Sequence, residues 1–163
     1  MTTKNKEATI SFIVPCYNDA DTIEKMVLSV RDQDLPNIEI IAINDGSTDK
    51  SKEVLENLKS VGLIDKFINF EKNKGACIAR NKGAKVATGK YLAFLPADAI
   101  LYAGMARIWH DTLEDFPEYD FMYGGYRFID EDGEPLEGQD YMGGAFDPYL
   151  LEVTNYIDGS FPI

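Results

Sequence analysis

Residues 38–49 read IEIIAINDGSTD and place a strand, a turn and a helix start in direct succession. Residues 38–43 form a nearly unbroken apolar run, which fits a strand covered on both faces, as in a parallel sheet. Asn44-Asp45-Gly46 has turn chemistry, and Ser47, Thr48 and Asp49 are residues that favour helix starts. Val54, Leu55, Leu58 and Val61 then make one apolar stripe.

The same unit recurs on either side. Upstream, residues 9–14 are a β-branched run closed by Pro15, and Ile23, Met26, Val27 and Val30 follow at i, i+3, i+4, i+7. Downstream, residues 66–70 read as a third strand and residues 91–95 as a fourth. Between them Ala76, Ala79, Gly83 and Val86 mark a helix with a small-residue face. Four strands joined by helices predict an α/β fold with a mostly parallel sheet and right-handed crossovers. Ligands of such sheets sit beyond the carboxyl ends of the strands. Chemistry is therefore expected in PCYND, NDGSTD, EKNKGA and PADA.

Beyond residue 99 the pattern changes. Met105, Ile108, Trp109, Thr112 and Leu113 predict another helix, and residues 119–123 a strand. Asp132-Gly133 signals a hairpin turn within residues 128–136, and the glycine-rich residues 138–144 read as a mobile loop. No internal repeat is present.

The chain has 163 residues, 45% hydrophobic and 12% aromatic, which fits a single globular domain with a true core. Its net charge of −12 argues against a broad nucleic-acid surface and against an electrostatic hold on anionic lipid. A small anionic ligand needs only a few local donors and stays open. Cys16 and Cys77 make neither a disulfide framework nor a zinc pattern and read as buried free thiols of a reducing compartment. The N-terminus lacks the features of a signal peptide, and no apolar run reaches the roughly 18 residues of a membrane span. A cytoplasmic location is expected, with any membrane anchor lying in sequence further downstream. The closing NYIDGSFPI has neither a helix cap nor a polar tail, so the chain is expected to stop inside a longer one.

Each strand-end segment has a ligand reading and a plain one. Asp45 could accept a hydrogen bond from a base ring N–H, with Gly46 letting the ligand approach, or it could serve an ordinary turn. Asn73-Lys74-Gly75 leads into the helix carrying Arg80, a natural diphosphate site or simply a solvated basic helix start. Lys72, Lys74, Arg80, Lys82 and Lys85 form a basic cluster in an acidic chain. Arg80 adjoins the apolar stripe, and its head is expected nearer a ligand than those of Lys82 or Lys85. Asp98 could hold Mg2+ or Mn2+ beside a diphosphate, or cap a turn. His110, the only histidine, reads as packed or solvent-facing. VPCYNDAD lacks the glycines of a dinucleotide-binding turn, and the Gly83–Gly89 spacing does not fit a P-loop.

In order, IVPCYN, INDGSTD and NKGACIARNKGAKVATGKYLAFLPADA resemble glycosyltransferase family 2. The resemblance is strong over residues 9–101; the last string holds two pieces, NKGACIARNKG and PADA, and four pieces in order are far more specific than any one. It implies a GT-A type fold, a nucleoside-diphosphate sugar donor, a divalent metal and inversion at the anomeric carbon. It places Pro15 and Tyr17 at the base pocket and Asp45 on the base. Asn73, Lys74, Gly75 and Arg80 would lie near the ribose and diphosphate, and Asp98 at the metal. Residues 9–101 would form the nucleotide-binding part and residues 102–163 the start of the acceptor side. Acceptors in reach of this reading are glycans, lipid-linked sugars and small molecules.

Two departures stand out. PADA replaces the family's DADD, so Pro96 and Ala99 stand where carboxylates are common and weaker metal binding is expected; Asn44 replaces the first Asp of DDGS. An inverting transferase also needs a carboxylate base. That base is expected beyond Ile163, with Asp158 a weak candidate inside the chain, so this stretch alone should bind donor and transfer poorly. A non-catalytic binding module on a degenerate fold is the alternative. A nucleotidyltransferase would want a glycine-rich, arginine-bearing loop where PCYND stands.

Overall fold

Side chains along β1 (Ile10–Cys16) alternate between two cores. Ile10, Phe12, Val14 and Cys16 join Ile23, Met26, Val27 and Val30 of α1 (Ile23–Arg31) in one fully buried cluster. Ile13 faces the other way, toward Ile41 and Ile43 of β2 (Glu39–Asp45) and Ala79 of a later helix. This two-sided burial is what the continuous apolar strands predicted. The structure is a computed structural model and describes residues 8–130 and 133–141.

The chain continues through α2 (Ser51–Ser60), β3 (Lys66–Phe70), α3 (Ala76–Ala84), β4 (Tyr91–Phe94) and α4 (Met105–Asp115). The four strands form one parallel sheet in the order β3-β2-β1-β4. The chain steps outward from β1 to β3, then returns past the start to place β4 on the free edge of β1. The reversal leaves a crevice at the carboxyl ends of β1 and β4, where ligands of such sheets bind. Apolar residues of α1, α2 and α4 pack on one face of the sheet, with Phe12 6.3 Å from Trp109 between ring centroids. Helix α3 covers the other face. At Gly83 an added Cβ would lie 2.5 Å from Cγ2 of Ile13 and 2.9 Å from Cδ1 of Ile43, so glycine lets the helix backbone lie on the sheet.

A polar knot fastens the opposite, amino end of the sheet. Glu39 is buried, pairs with Lys66 Nζ at 2.6 Å, and accepts hydrogen bonds from the Ser11 hydroxyl and the Thr88 N–H and hydroxyl. Burial alone would raise its carboxyl pKa. The bonds from Lys66, Ser11 and Thr88 outweigh burial and hold it below the ordinary value.

An antiparallel hairpin of β5 (Tyr126–Ile129) and β6 (Pro135–Tyr141) follows. Three local expectations change. Helix α2 begins at Ser51, and residues 47–49 form the loop before it, with Asp49 Oδ1 accepting the Ser51 N–H at 2.9 Å. Residues 119–123 are irregular rather than a strand. Their aromatic content supplies β-propensity, but propensity yields a strand only where pairing and burial support it. Residues 138–141 belong to β6 rather than to a loop, and residues 142–144 lie outside the described residues, as does Asp132 of the turn.

Candidate functional site

Two loops at the carboxyl ends of β1 and β2 are tied together before any ligand arrives. Asn18 adopts φ 61° and its Oδ1 accepts the Thr48 N–H at 2.8 Å, while its own N–H donates to Ser47 Oγ at 3.1 Å. Asp19 N–H donates to Ser51 Oγ at 2.9 Å. Asn44, buried, donates from Nδ2 to Asn69 Oδ1 at 2.7 Å and accepts the Ser47 N–H at 3.2 Å. A carboxylate at position 44 could not make that donation, so asparagine here bridges the ends of β2 and β3.

The turn into α3 is fastened to β2. Asp45 is 2% exposed; its Oδ1 accepts the Lys74 N–H at 2.7 Å and its Oδ2 the Gly75 N–H at 2.9 Å. Each oxygen keeps a further lone pair for a ligand. Gly46, at φ 70°, lies against the same turn: an added Cβ would meet the Asn73 nitrogen and the Lys72 carbonyl carbon at 2.4 Å. The glycine expected to admit a ligand instead admits the backbone of residues 72–73.

These ties enclose a cleft of about 280 Å3 over the crevice between β1 and β4. The end of β1 contributes Pro15, Cys16, Tyr17 and Asp19, and the end of β2 contributes Asp45. Asn73, Gly75, Ala76 and Arg80 come from the α3 side; Pro96, Ala97 and Asp98 come from beyond β4. The cleft thus gathers the predicted residues Pro15, Tyr17, Asp45, Asn73, Gly75, Arg80 and Asp98 from the ends of β1, β2 and β4 and from the turn and helix after β3. Lys74 is not among its lining residues. Its Nζ sits 4.4 Å from the Phe70 ring centroid, beside a second depression on the outer face of α3.

The charges in the cleft are arranged unevenly. Arg80 Nε is buried and has no hydrogen-bond partner among the described residues. A buried donor left unpaired costs about 1–3 kcal/mol, which a ligand oxygen would recover. Asp98 is exposed and lines the same cleft from beyond β4. Asp19 accepts the Tyr17 N–H at 2.8 Å, and its carboxyl pKa is raised, first by burial and then by the neighbouring charges of Asp98 and Asp49. Cys16 is buried and no nucleophile, since burial pushes its thiol up to about 12, whereas Cys77, expected to be buried too, is exposed. Sequence reasoning named PCYND as a site segment but did not single out Asp19; a carboxylate three residues past a strand end was the available signal. His110 lies away from the cleft, edge-on to Tyr91 and 2.8 Å from Asp111 Oδ1. Asp158 and Ile163 lie outside the described residues.

A parallel sheet with this switch point, and a cleft pairing a basic helix start with a carboxylate, fit a GT-A type α/β domain, the fold of the solved glycosyltransferase that this chain matches. The family model described as glycosyl transferase family 2 matches residues 11–155, and the chain belongs to that family. It is 34% identical over 139 residues to the putative teichuronic acid biosynthesis glycosyltransferase TuaG of Bacillus subtilis, covering 82% of this chain and 52% of that protein. It is 38% identical over 92 residues to a poly-beta-1,6-N-acetyl-D-glucosamine synthase of Staphylococcus epidermidis, covering 56% of this chain and 22% of that protein. The structure of S. aureus TarS 1-349 in complex with UDP matches with a TM-score of 0.60 at 25% identity, over 67% of this chain and 33% of that one. The chain spans from about a fifth to about half of the curated relatives it matches. No helix among the described residues is long and apolar enough to cross a membrane.

Proposed function

We propose that this chain binds the nucleoside diphosphate of a sugar donor in the cleft between β1 and β4. The protein it belongs to would transfer the sugar, with inversion, to a hydroxyl of a glycan, lipid-linked or small-molecule acceptor. The observation that carries this reading is Arg80. Arg80 lines the same cleft as the exposed Asp98, and its Nε is buried and unpartnered, so the cleft offers a cation for a phosphate and a carboxylate for a counter-ion. The relative TarS, whose structure holds UDP, supports the ligand class.

In this reading Pro15 and Tyr17 flank the base, and Asp45 accepts from the base with its remaining lone pairs. Asn73, Gly75 and Arg80 face the ribose and diphosphate. Lys74 acts only through its backbone. Residues 9–101 carry the donor, and residues 102–163 begin the acceptor side of the same domain.

Asp98 offers one hard oxygen ligand, and among the described residues no group of three or more His, Cys, Asp or Glu gathers to hold a metal. That suits Mg2+ or Mn2+, which accept most of their oxygens from phosphate and water. When bound, the ion would neutralise charge on the leaving diphosphate.

Thermal unfolding against UDP, GDP, CDP and dTDP, each with and without Mn2+, tests the reading. A nucleotide at 100 times its Kd should stabilise the fold by about 2.7 kcal/mol, a shift of several degrees. One nucleotide should give such a shift, Mn2+ should enlarge it, and Asp98→Ala should remove the enlargement. No shift with any nucleotide would overturn donor binding.

A further inference from the structure

Lys74, Ile78, Lys82 and Lys85 fall at i, i+4, i+8 and i+11, along one face of α3 and its entry. All four are exposed, and Ile78, in the middle, is 51% exposed. Phe70 closes one end of the stripe beneath the Lys74 ammonium, and Asn81 fills the gap in a shallow depression of about 460 Å3. The opposite face of the helix, Ala79 and Gly83, is buried on the sheet. Among the described residues, none of the ion pairs involves Lys74, Lys82 or Lys85.

We propose that this face docks the protein on the surface of an anionic lipid bilayer, with the lysines at the headgroup phosphates and Ile78 entering the interface. The net charge of −12 pointed the other way in the sequence. That charge is a sum over the whole chain, whereas a membrane feels mainly the charges within about 8 Å at physiological ionic strength, and none of the residues lining this depression is acidic. Each lysine at an anionic surface is worth about a fivefold gain in partitioning, so the stripe gives a weak, reversible hold. A soluble polyanion would use the lysines equally well. The central exposed isoleucine favours lipid, because apolar area gains only where there is an interface to enter. Asn73 and Gly75 enter the donor cleft from the turn that sends Lys74 to this face, so docking would fix how the cleft is oriented to the bilayer surface.

The test is sedimentation of the full chain with vesicles of phosphatidylcholine alone or mixed with phosphatidylglycerol, at low and high salt. Binding is expected only to the anionic vesicles and should fade at high salt. Lys82→Glu with Lys85→Glu should lower the bound-to-free ratio by at least about tenfold. Ile78→Ser should lower it severalfold while leaving binding to inorganic polyphosphate unchanged. Thermal melts of each variant verify that the fold is intact. Absence of vesicle binding, equal binding to neutral vesicles, indifference to these substitutions, or binding to polyphosphate without binding to vesicles would each overturn the proposal.

Discussion

Asp45 and Lys74 are joined carboxylate to backbone: Oδ1 of Asp45 accepts the Lys74 N–H at 2.7 Å, while the Lys74 side chain leaves in the opposite direction toward Phe70. The second carboxylate oxygen takes the Gly75 N–H. A residue expected to serve a ligand therefore also anchors the turn that forms the cleft wall. Asp45→Ala removes two bonds to a charged acceptor, each worth about 1.5–3 kcal/mol. The expected result is a melting temperature lower by many degrees without any nucleotide, read by circular dichroism. A purely ligand-binding Asp45 would leave that temperature unchanged.

Arg80 should behave in the opposite way. Its buried Nε has no partner among the described residues, so Arg80→Met relieves a desolvated donor and should leave unliganded stability unchanged or slightly raised. Nucleotide affinity, measured by calorimetry, should fall on the order of tenfold or more, because a charge-assisted bond to phosphate is lost. A large loss of stability with affinity intact would place Arg80 in the scaffold.

The Asp19 carboxyl pKa is raised by burial and then by Asp98 and Asp49, which gives a pH dependence of definite sign. Ionised Asp19 disfavours the fold at pH above its raised pKa, and the cost disappears below the unfolded value of 3.8. Asp19→Asn should therefore stabilise the protein at neutral pH and lose its advantage as pH falls through that window. Melts across the acid range test this. Asp98→Asn should also lower the Asp19 pKa, visible by carbon NMR of the carboxyl.

Two glycines should resist alanine for different reasons. At Gly83 the added Cβ meets the side chains of Ile13 and Ile43, so Gly83→Ala overpacks the core at a cost of about 1–3 kcal/mol. At Gly46 it meets backbone at residues 72 and 73 and φ is positive, so Gly46→Ala should cost more and also weaken nucleotide binding. Denaturant titrations of both variants, with nucleotide affinity as the second readout, separate core damage from loop damage.

Local chemistry made much of this protein legible in its sequence. Apolar runs of strand length, apolar stripes at helical spacing and turn residues between them depend only on near neighbours. They specified the four strands, α1 to α4 and the parallel class of the sheet. They also located the cleft, because the strand-end segments are set once the strands are. Long-range relations were not legible. The order β3-β2-β1-β4, the contact of Gly46 with residues 72–73 and the tie of Asn18 to Thr48 join parts of the chain whose pairing no local pattern encodes. Residues 119–123 had strand composition, but composition alone does not supply a paired, buried edge. Lys74 and Gly75 are adjacent in sequence, yet one side chain leaves the cleft while the other residue lines it. The sequence by itself determined which residue types stand at the strand ends. Only the tertiary structure decided which way each faces, because direction is set by the packing of α3 on the sheet and by the Asp45 carboxylate that fixes where the helix begins.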